Sequence, residues 1–220
     1  MAILHAAGCG AVPPKEDAAL GVPLGVPLGE ASVEPGQYFP SYLSTMKEVC
    51  GFPDTPASTV LNDLKTEWYS STLAQAGERP LAELAAAEPE RFHIRLLWLR
   101  TFHHPMIVRI EAEASGKAVL EAKLLSGQGG FEVGEVARSL RRELSPAEIR
   151  AIRNTLERFS LAAEPAGTCE LGTDGAQWIV ELADGGRYAF YDRWTPEKGA
   201  VREVGLAMLR LTGFDLEPIY

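Results

Sequence analysis

Residues 106–125, MIVRIEAEASGKAVLEAKLL, leave the chain little freedom. With Ala114-Ser115-Gly116 as a three-residue loop and Gly116 in the left-handed position, Glu113 faces Lys117 and Arg109 faces Glu121. Met106, Val108, Ile110 and Ala112 then face Leu124, Ala122, Leu120 and Ala118. One face is apolar and the other carries opposite charges in register. A two-residue loop would set Ile110 against Glu121, which strand pairing disfavours. An antiparallel hairpin with one buried face therefore stands at the centre of the chain.

The flanking segments extend it. FHIRLLWLRTF, 92–102, reads as a strand, and a further strand at 135–142 follows the glycine-rich 126–134. A second hairpin spans QWIVELADGGRYAFYDRW, 177–194. Taking Asp184-Gly185-Gly186 as its turn sets Leu182 against Tyr188, Val180 against Phe190 and Trp178 against Asp192. Helical spacing marks 59–76, with Gly77 as the stop. In LSPAEIRAIRNTLERFSL, Ser145 is an N-cap, Pro146 takes the first helical position and Glu148 completes a capping box. Ile149, Ile152, Leu156 and Phe159 form its apolar stripe. Thr195-Pro196 is expected to cap a last helix, 198–211, with Val201, Val204, Met208 and Leu211 inward. The fold class is α+β: an antiparallel sheet of about six strands built from hairpins, with helices covering one face.

Eight of the fifteen prolines precede residue 58, and Gly-Val-Pro-Leu repeats at 21–28. That composition predicts an extended tether over 1–57 and one domain over 58–220. The start, MAILHAAGCG, ends in Ala6-Ala7-Gly8-Cys9 like the close of a bacterial lipobox, with Ala6 where leucine is usual. No Lys or Arg precedes the apolar run, which is shorter than the roughly 7–15 residues of a signal core. The expectation is a signal that begins further upstream, with Cys9 as lipid anchor. The alternative is a coincidence of small residues in a cytoplasmic protein.

Several function classes drop out. The chain has 30 acidic and 21 basic residues, net charge −9, so phosphate-backbone binding by the molecule as a whole is not expected. No apolar run reaches the roughly 18 residues of a membrane span, leaving a lipid at Cys9 as the membrane contact. The three cysteines, Cys9, Cys50 and Cys169, form no C-x-x-C pair and so no zinc ribbon. No cofactor motif is present. SGQGGFEVG, 126–134, lacks the Gly-Lys-Ser/Thr of a phosphate loop and reads as a bulge or tight connection. If Cys9 carries lipid, Cys50 and Cys169 remain as an even pair, expected to bond in an oxidising compartment.

Three groups of residues carry the remaining chemistry. His103 and His104 end a strand, so their side chains diverge and cannot hold one metal ion together. By parity His104 turns toward the core and His103 away, as an ordinary core histidine beside an exposed one. His104 with Asp192 is nonetheless the one acid/base pairing the chain offers a small hydrolase. Arg138, Arg141, Arg142, Arg150 and Arg153 form a basic patch in an acidic protein, read either as a solvated Glu/Arg face or as a dock for an anionic partner. Asp174, Trp178, Asp192, Arg193 and Trp194 gather near one end of the second hairpin. An inward Asp192 beside Trp178 and Trp194 accepts indole or backbone N–H groups, or lines a polar, aromatic pocket for a ligand.

WYSSTL (68–73), LRTFHHP (99–105), DGAQWIVE (174–181) and YDRWTPEKG (191–199) together resemble a group of uncharacterised bacterial proteins, many of them secreted or lipid-anchored. The likeness spans roughly residues 59–215. It implies a single domain in the cell envelope and no particular activity. The leading expectation is a non-enzymatic envelope binding domain for an unknown protein or ligand. A cytoplasmic, immunity-type protein with a basic partner stands second, and a hydrolase using His104 and Asp192 third.

Overall fold

A computed structural model describes residues 26–27, 31–34, 36–51, 58–170 and 172–220. The lipidation candidate Cys9 lies outside them. Six long strands, β2 (Phe92–Arg100), β3 (Met106–Ala112), β4 (Ala118–Leu125), β5 (Val136–Leu144), β6 (Ala176–Asp184) and β7 (Arg187–Trp194), join a two-residue strand, β1 (Val26–Pro27). They form one antiparallel sheet in the order β1-β7-β6-β2-β3-β4-β5. The helices are α1 (Asp63–Gln75), α2 (Leu81–Ala87), α3 (Pro146–Arg158) and α4 (Ala200–Thr212). This is the expected α+β sheet.

The β3–β4 hairpin has the register its side chains require. Arg109 pairs with Glu121, Val108 with Ala122 and Ile110 with Leu120, and the Glu113 N–H donates to the Lys117 carbonyl at 2.8 Å. The β6–β7 hairpin does not follow the expected three-residue turn. Asp184 pairs with Arg187, leaving a two-residue Gly185-Gly186 turn with φ of +56° and +74°. Two successive positive φ values define the type I′ turn, whose twist matches that of the strands, and Gly-Gly adopts it without steric cost. The register moves by one residue, so β7 turns over: Trp178 faces Arg193 and Asp192 faces Ile179.

The α3 capping box forms as read, with the Ser145 side chain and the Glu148 carboxylate each accepting from the other's backbone N–H. Helices α3 and α4 lay Ile149, Ile152, Leu156, Val204 and Met208 onto the sheet face of Ile94, Leu96, Trp98, Val108 and Val180. A Cβ on Gly205 would stand 2.6 Å from the Trp178 ring, so this glycine lets α4 settle against the indole. Thr195 does not cap α4. Gly199 precedes that helix, and the Thr195 hydroxyl instead accepts the Ala176 N–H at 2.9 Å.

The expectation of helices on one face alone is corrected: the second sheet face is covered as well. Leu97, Leu99, Ile107, Ile179 and Phe190 pack under α1, α2 and the N-terminal residues Ala31, Phe39 and Leu43. All nine residues of β2 are buried, the near-continuous apolar reading of a strand enclosed on both sides. The domain therefore begins earlier than composition indicates, since Ala31, Phe39 and Leu43, within the expected tether, are fully buried. Proline removes ladder donors but does not prevent neighbouring aromatics from filling a core.

Candidate functional site

The rotation of β7 decides what the second hairpin can do. Trp178 lies in the α3/α4 core, its indole N–H donating to the Tyr220 main-chain oxygen at 2.9 Å. Asp192 lies on the opposite face, buried beneath α1. The expected cluster of Trp178 and Asp192 is thus divided by the sheet. Arg193 is buried on the Trp178 side, where it donates to the Pro165 carbonyl (2.6 Å) and to Glu164 (3.0 Å).

Asp192 is held by three side chains. Lys65 Nζ stands 2.9 Å from one carboxylate oxygen, and the Tyr69 hydroxyl donates to the same oxygen at 3.1 Å. The Gln177 amide nitrogen donates to the other at 2.9 Å in the orientation that satisfies both amide ends. Burial pushes the Asp192 carboxyl up from its usual range, against the opposing pull of Lys65 and Tyr69. Burial also pulls the Lys65 ammonium down, but Asp192 and Glu48 more than reverse this and hold it above its ordinary value. Burial and then the Asp192 charge keep the Tyr69 phenol protonated far above its usual range.

Lys65, Gln177 and Asp192 wall a cleft of about 300 Å³ that Glu48, Glu170 and Trp194 also border, with Cys169 at its edge; Tyr69 stands behind it, fully buried. Helix α1 delivers Lys65 because Asn62 caps it, accepting the Lys65 N–H at 2.9 Å. The opposite wall is tied down by backbone and covalent links. The Val49 N–H donates to the Gly167 carbonyl and the Cys169 N–H to the Val49 carbonyl. Cys50 and Cys169 form a disulfide with Cα atoms 4.7 Å apart, the pairing expected on the condition that Cys9 carries lipid. The Trp194 N–H donates to Glu170 at 2.5 Å, and Trp194 also borders a wider neighbouring cleft with Asp174, Arg193 and Lys198.

His104 does not meet Asp192. It is exposed and borders a separate cavity with Phe102, Gln128 and Asp215, while its Nδ1 bonds the Gly127 carbonyl at 2.8 Å. His103 is the more buried of the two, with Nδ1 2.7 Å from the Tyr220 hydroxyl. The parity reading inverts because β2 ends at Arg100 and a turn intervenes, so alternation does not carry through. The acid/base pairing is therefore abandoned. Among the described residues no group of three His, Cys, Asp or Glu is arranged to hold a metal.

The basic patch is divided too. Arg138 and Arg142 lie on the α3/α4 face of β5 and Arg141 on the other, as their partners opposite in β4 require. Arg141 meets Glu121, Arg142 meets Glu148 and Arg153 meets Asp184, while Arg150 is exposed on α3. The glycine-rich 126–134 folds back on itself as a tight connection, with the Ser126 N–H on the Glu135 carbonyl and the Gly127 N–H on the Val133 carbonyl.

Lys65, Tyr69, Gln177 and Glu48 escaped sequence reasoning. Lys65 and Tyr69 looked like part of an ordinary helix, and only the β7 register brings Asp192 beneath them. A second buried set, Arg95, Glu181 and Glu78, left a clearer trace: a charge inside a doubly buried strand needs a partner. No protein-family model matches the chain, and no curated protein matches it either.

Proposed function

We propose that the chain is a non-enzymatic binding domain of the bacterial cell envelope whose ligand enters the cleft between Lys65, Gln177, Asp192 and Trp194. The observation that carries this reading is a carboxylate only 2% exposed, held by three donors at the wall of an open cleft beside an indole. Buried charge is costly, and a core that needed only packing would fill that position with an apolar side chain. The cleft is rich in acceptors: Glu48, Glu170 and Asp192 line it, and Lys65 is already shared between two carboxylates. A donor-rich ligand, an amine or a polyol, suits it, with Trp194 offering a face to cationic or apolar carbon.

The envelope location is supported by the Cys50–Cys169 bond, since such bonds persist in oxidising compartments. The cytoplasmic alternative, a protein with a basic partner, has net charge −9 in its favour. A melting-temperature screen against polyols and polyamines tests the cleft, because a ligand bound only by the folded state raises Tm. At least one class should raise Tm in the native protein and not in Trp194→Ala. No shift from any member, or one that survives Trp194→Ala, removes the cleft as the site. Blocking free thiols at cell lysis and weighing the protein tests the location, and a reduced Cys50–Cys169 pair puts the cytoplasmic reading ahead.

A further inference from the structure

The two edges of the sheet are unlike. The outer edge of β7 is capped, with Arg187 and Tyr188 pairing with β1 and Asp192 with Gly167. Among the described residues, strand β5 pairs on one side only, with β4, and Val136, Ala137, Arg138, Ser139, Arg141 and Glu143 are exposed. Alternate N–H and C=O groups of such a strand point away from the sheet, a template for another extended chain.

Its side chains select which chain. Three guanidinium groups are held along the edge rather than left free: Arg138 over the Phe214 ring at 4.0 Å, Arg142 on Glu148 at 2.7 Å and Arg141 on Glu121 at 2.8 Å. A second copy pairing antiparallel about Leu140 sets Arg138 opposite Arg142 twice, and like charges directly opposite are destabilising. An acidic strand reverses the sign of that interaction. Arg142, Arg141 and Arg138 then face partner positions p, p+1 and p+4, while Leu140 faces p+2.

We propose that the β5 edge docks an extended acidic segment of a partner protein by antiparallel strand addition. Main-chain bonds supply the pairing, and acidic residues at p, p+1 and p+4 with an apolar residue at p+2 supply the selectivity. The chain as a whole is acidic, so an acidic segment that binds does so through these local arginines. The surface is independent of the cleft, which lies beside β7 at the far side of the strand order.

The probe is a fluorescent nine-residue peptide with Glu at positions 3, 4 and 7, Val at position 5 and Thr elsewhere, read by anisotropy against the full chain. It should bind saturably, more weakly as salt rises, and its amide NMR shifts should centre on residues 136–144. Two adjacent central prolines in the peptide should weaken binding about tenfold or more, since strand addition needs those N–H groups. So should Lys in place of Glu, and so should Arg138→Glu with Arg141→Glu in the protein. Because the peptide controls leave the protein unchanged, misfolding of the double variant cannot obscure the result. Absence of saturable binding, equal binding by the diproline peptide, or self-association of the chain through β5 overturns the proposal.

Discussion

Arg95 and Glu181 face each other across β2 and β6, both essentially unexposed. Arg95 Nε and Nη2 donate to one carboxylate oxygen at 2.8 and 2.5 Å. The Tyr188 hydroxyl donates to the other at 2.8 Å, and Arg95 Nη1 reaches the Arg79 carbonyl at 2.6 Å. Removing Glu181 leaves buried Arg95, among the described residues, with the Glu78 carboxylate alone, 3.8 Å away, so Glu181→Gln is expected to cost about 3 kcal/mol in urea unfolding. The joint Arg95→Met, Glu181→Leu change should cost far less than the two single changes summed. Additive losses would show that the pair is not coupled. His93 sets a pH dependence. It is buried with neither ring nitrogen bonded, and burial pushes its pKa below the ordinary 6.5 against the attraction of Glu88. An unfolded chain takes up that proton near pH 6.5 and the folded one only at lower pH. Between the two the unfolded state binds more protons, so stability falls as pH drops through that window. Tm measured from about pH 7.5 to about pH 5 should fall in the native protein and less steeply in His93→Leu. Equal slopes would assign the loss to other groups.

The hairpins show how turn chemistry sets what a whole strand presents. Ala114-Ser115-Gly116 makes a three-residue loop with Gly116 at φ +90°, and charge pairing on one face is enough to select it. Gly185-Gly186 makes a two-residue turn, and the one-residue difference decides on which face Asp192 lies. Gly186→Ala is therefore expected to cost about 1–2 kcal/mol, the penalty of a Cβ in the left-handed region. An unchanged denaturation midpoint would contradict the type I′ turn. Ser145→Ala at the α3 cap should cost about 1 kcal/mol by the same measurement, because the Glu148 N–H loses its acceptor while the backbone N–H of residue 145 keeps the Glu148 carboxylate.

At the scale of the molecule, two layers of helix enclose one sheet, and the Cys50–Cys169 bond joins cysteines separated by 119 positions in sequence across the layer that contains α1, α2 and the cleft. Chain-entropy reasoning puts the stabilisation from a loop of that length near 5 kcal/mol, with less realised in practice. Replacing both cysteines by alanine should lower unfolding stability by about 2–4 kcal/mol, and no loss would mean that the backbone pairs around Val49 and Gly167 hold that wall alone. Local chemistry was sufficient for the β3–β4 register, the α3 capping box and the α+β class. Each of these is decided by residues whose spacing and charge admit one arrangement. The seven-residue α2 offered too little periodicity to read, and the burial of Phe39 and Leu43 depends on a sheet face that only the assembled strands create. The cleft was half legible. Asp192 and Trp194 were marked by their types, and Asp174 borders the neighbouring cleft, but Trp178 was placed with them because a turn length was read one residue too long. Lys65, Tyr69 and Gln177 join Asp192 only in three dimensions. A side chain's face follows from period-two alternation within one strand, whereas what stands above that face is chosen by packing between elements distant in sequence.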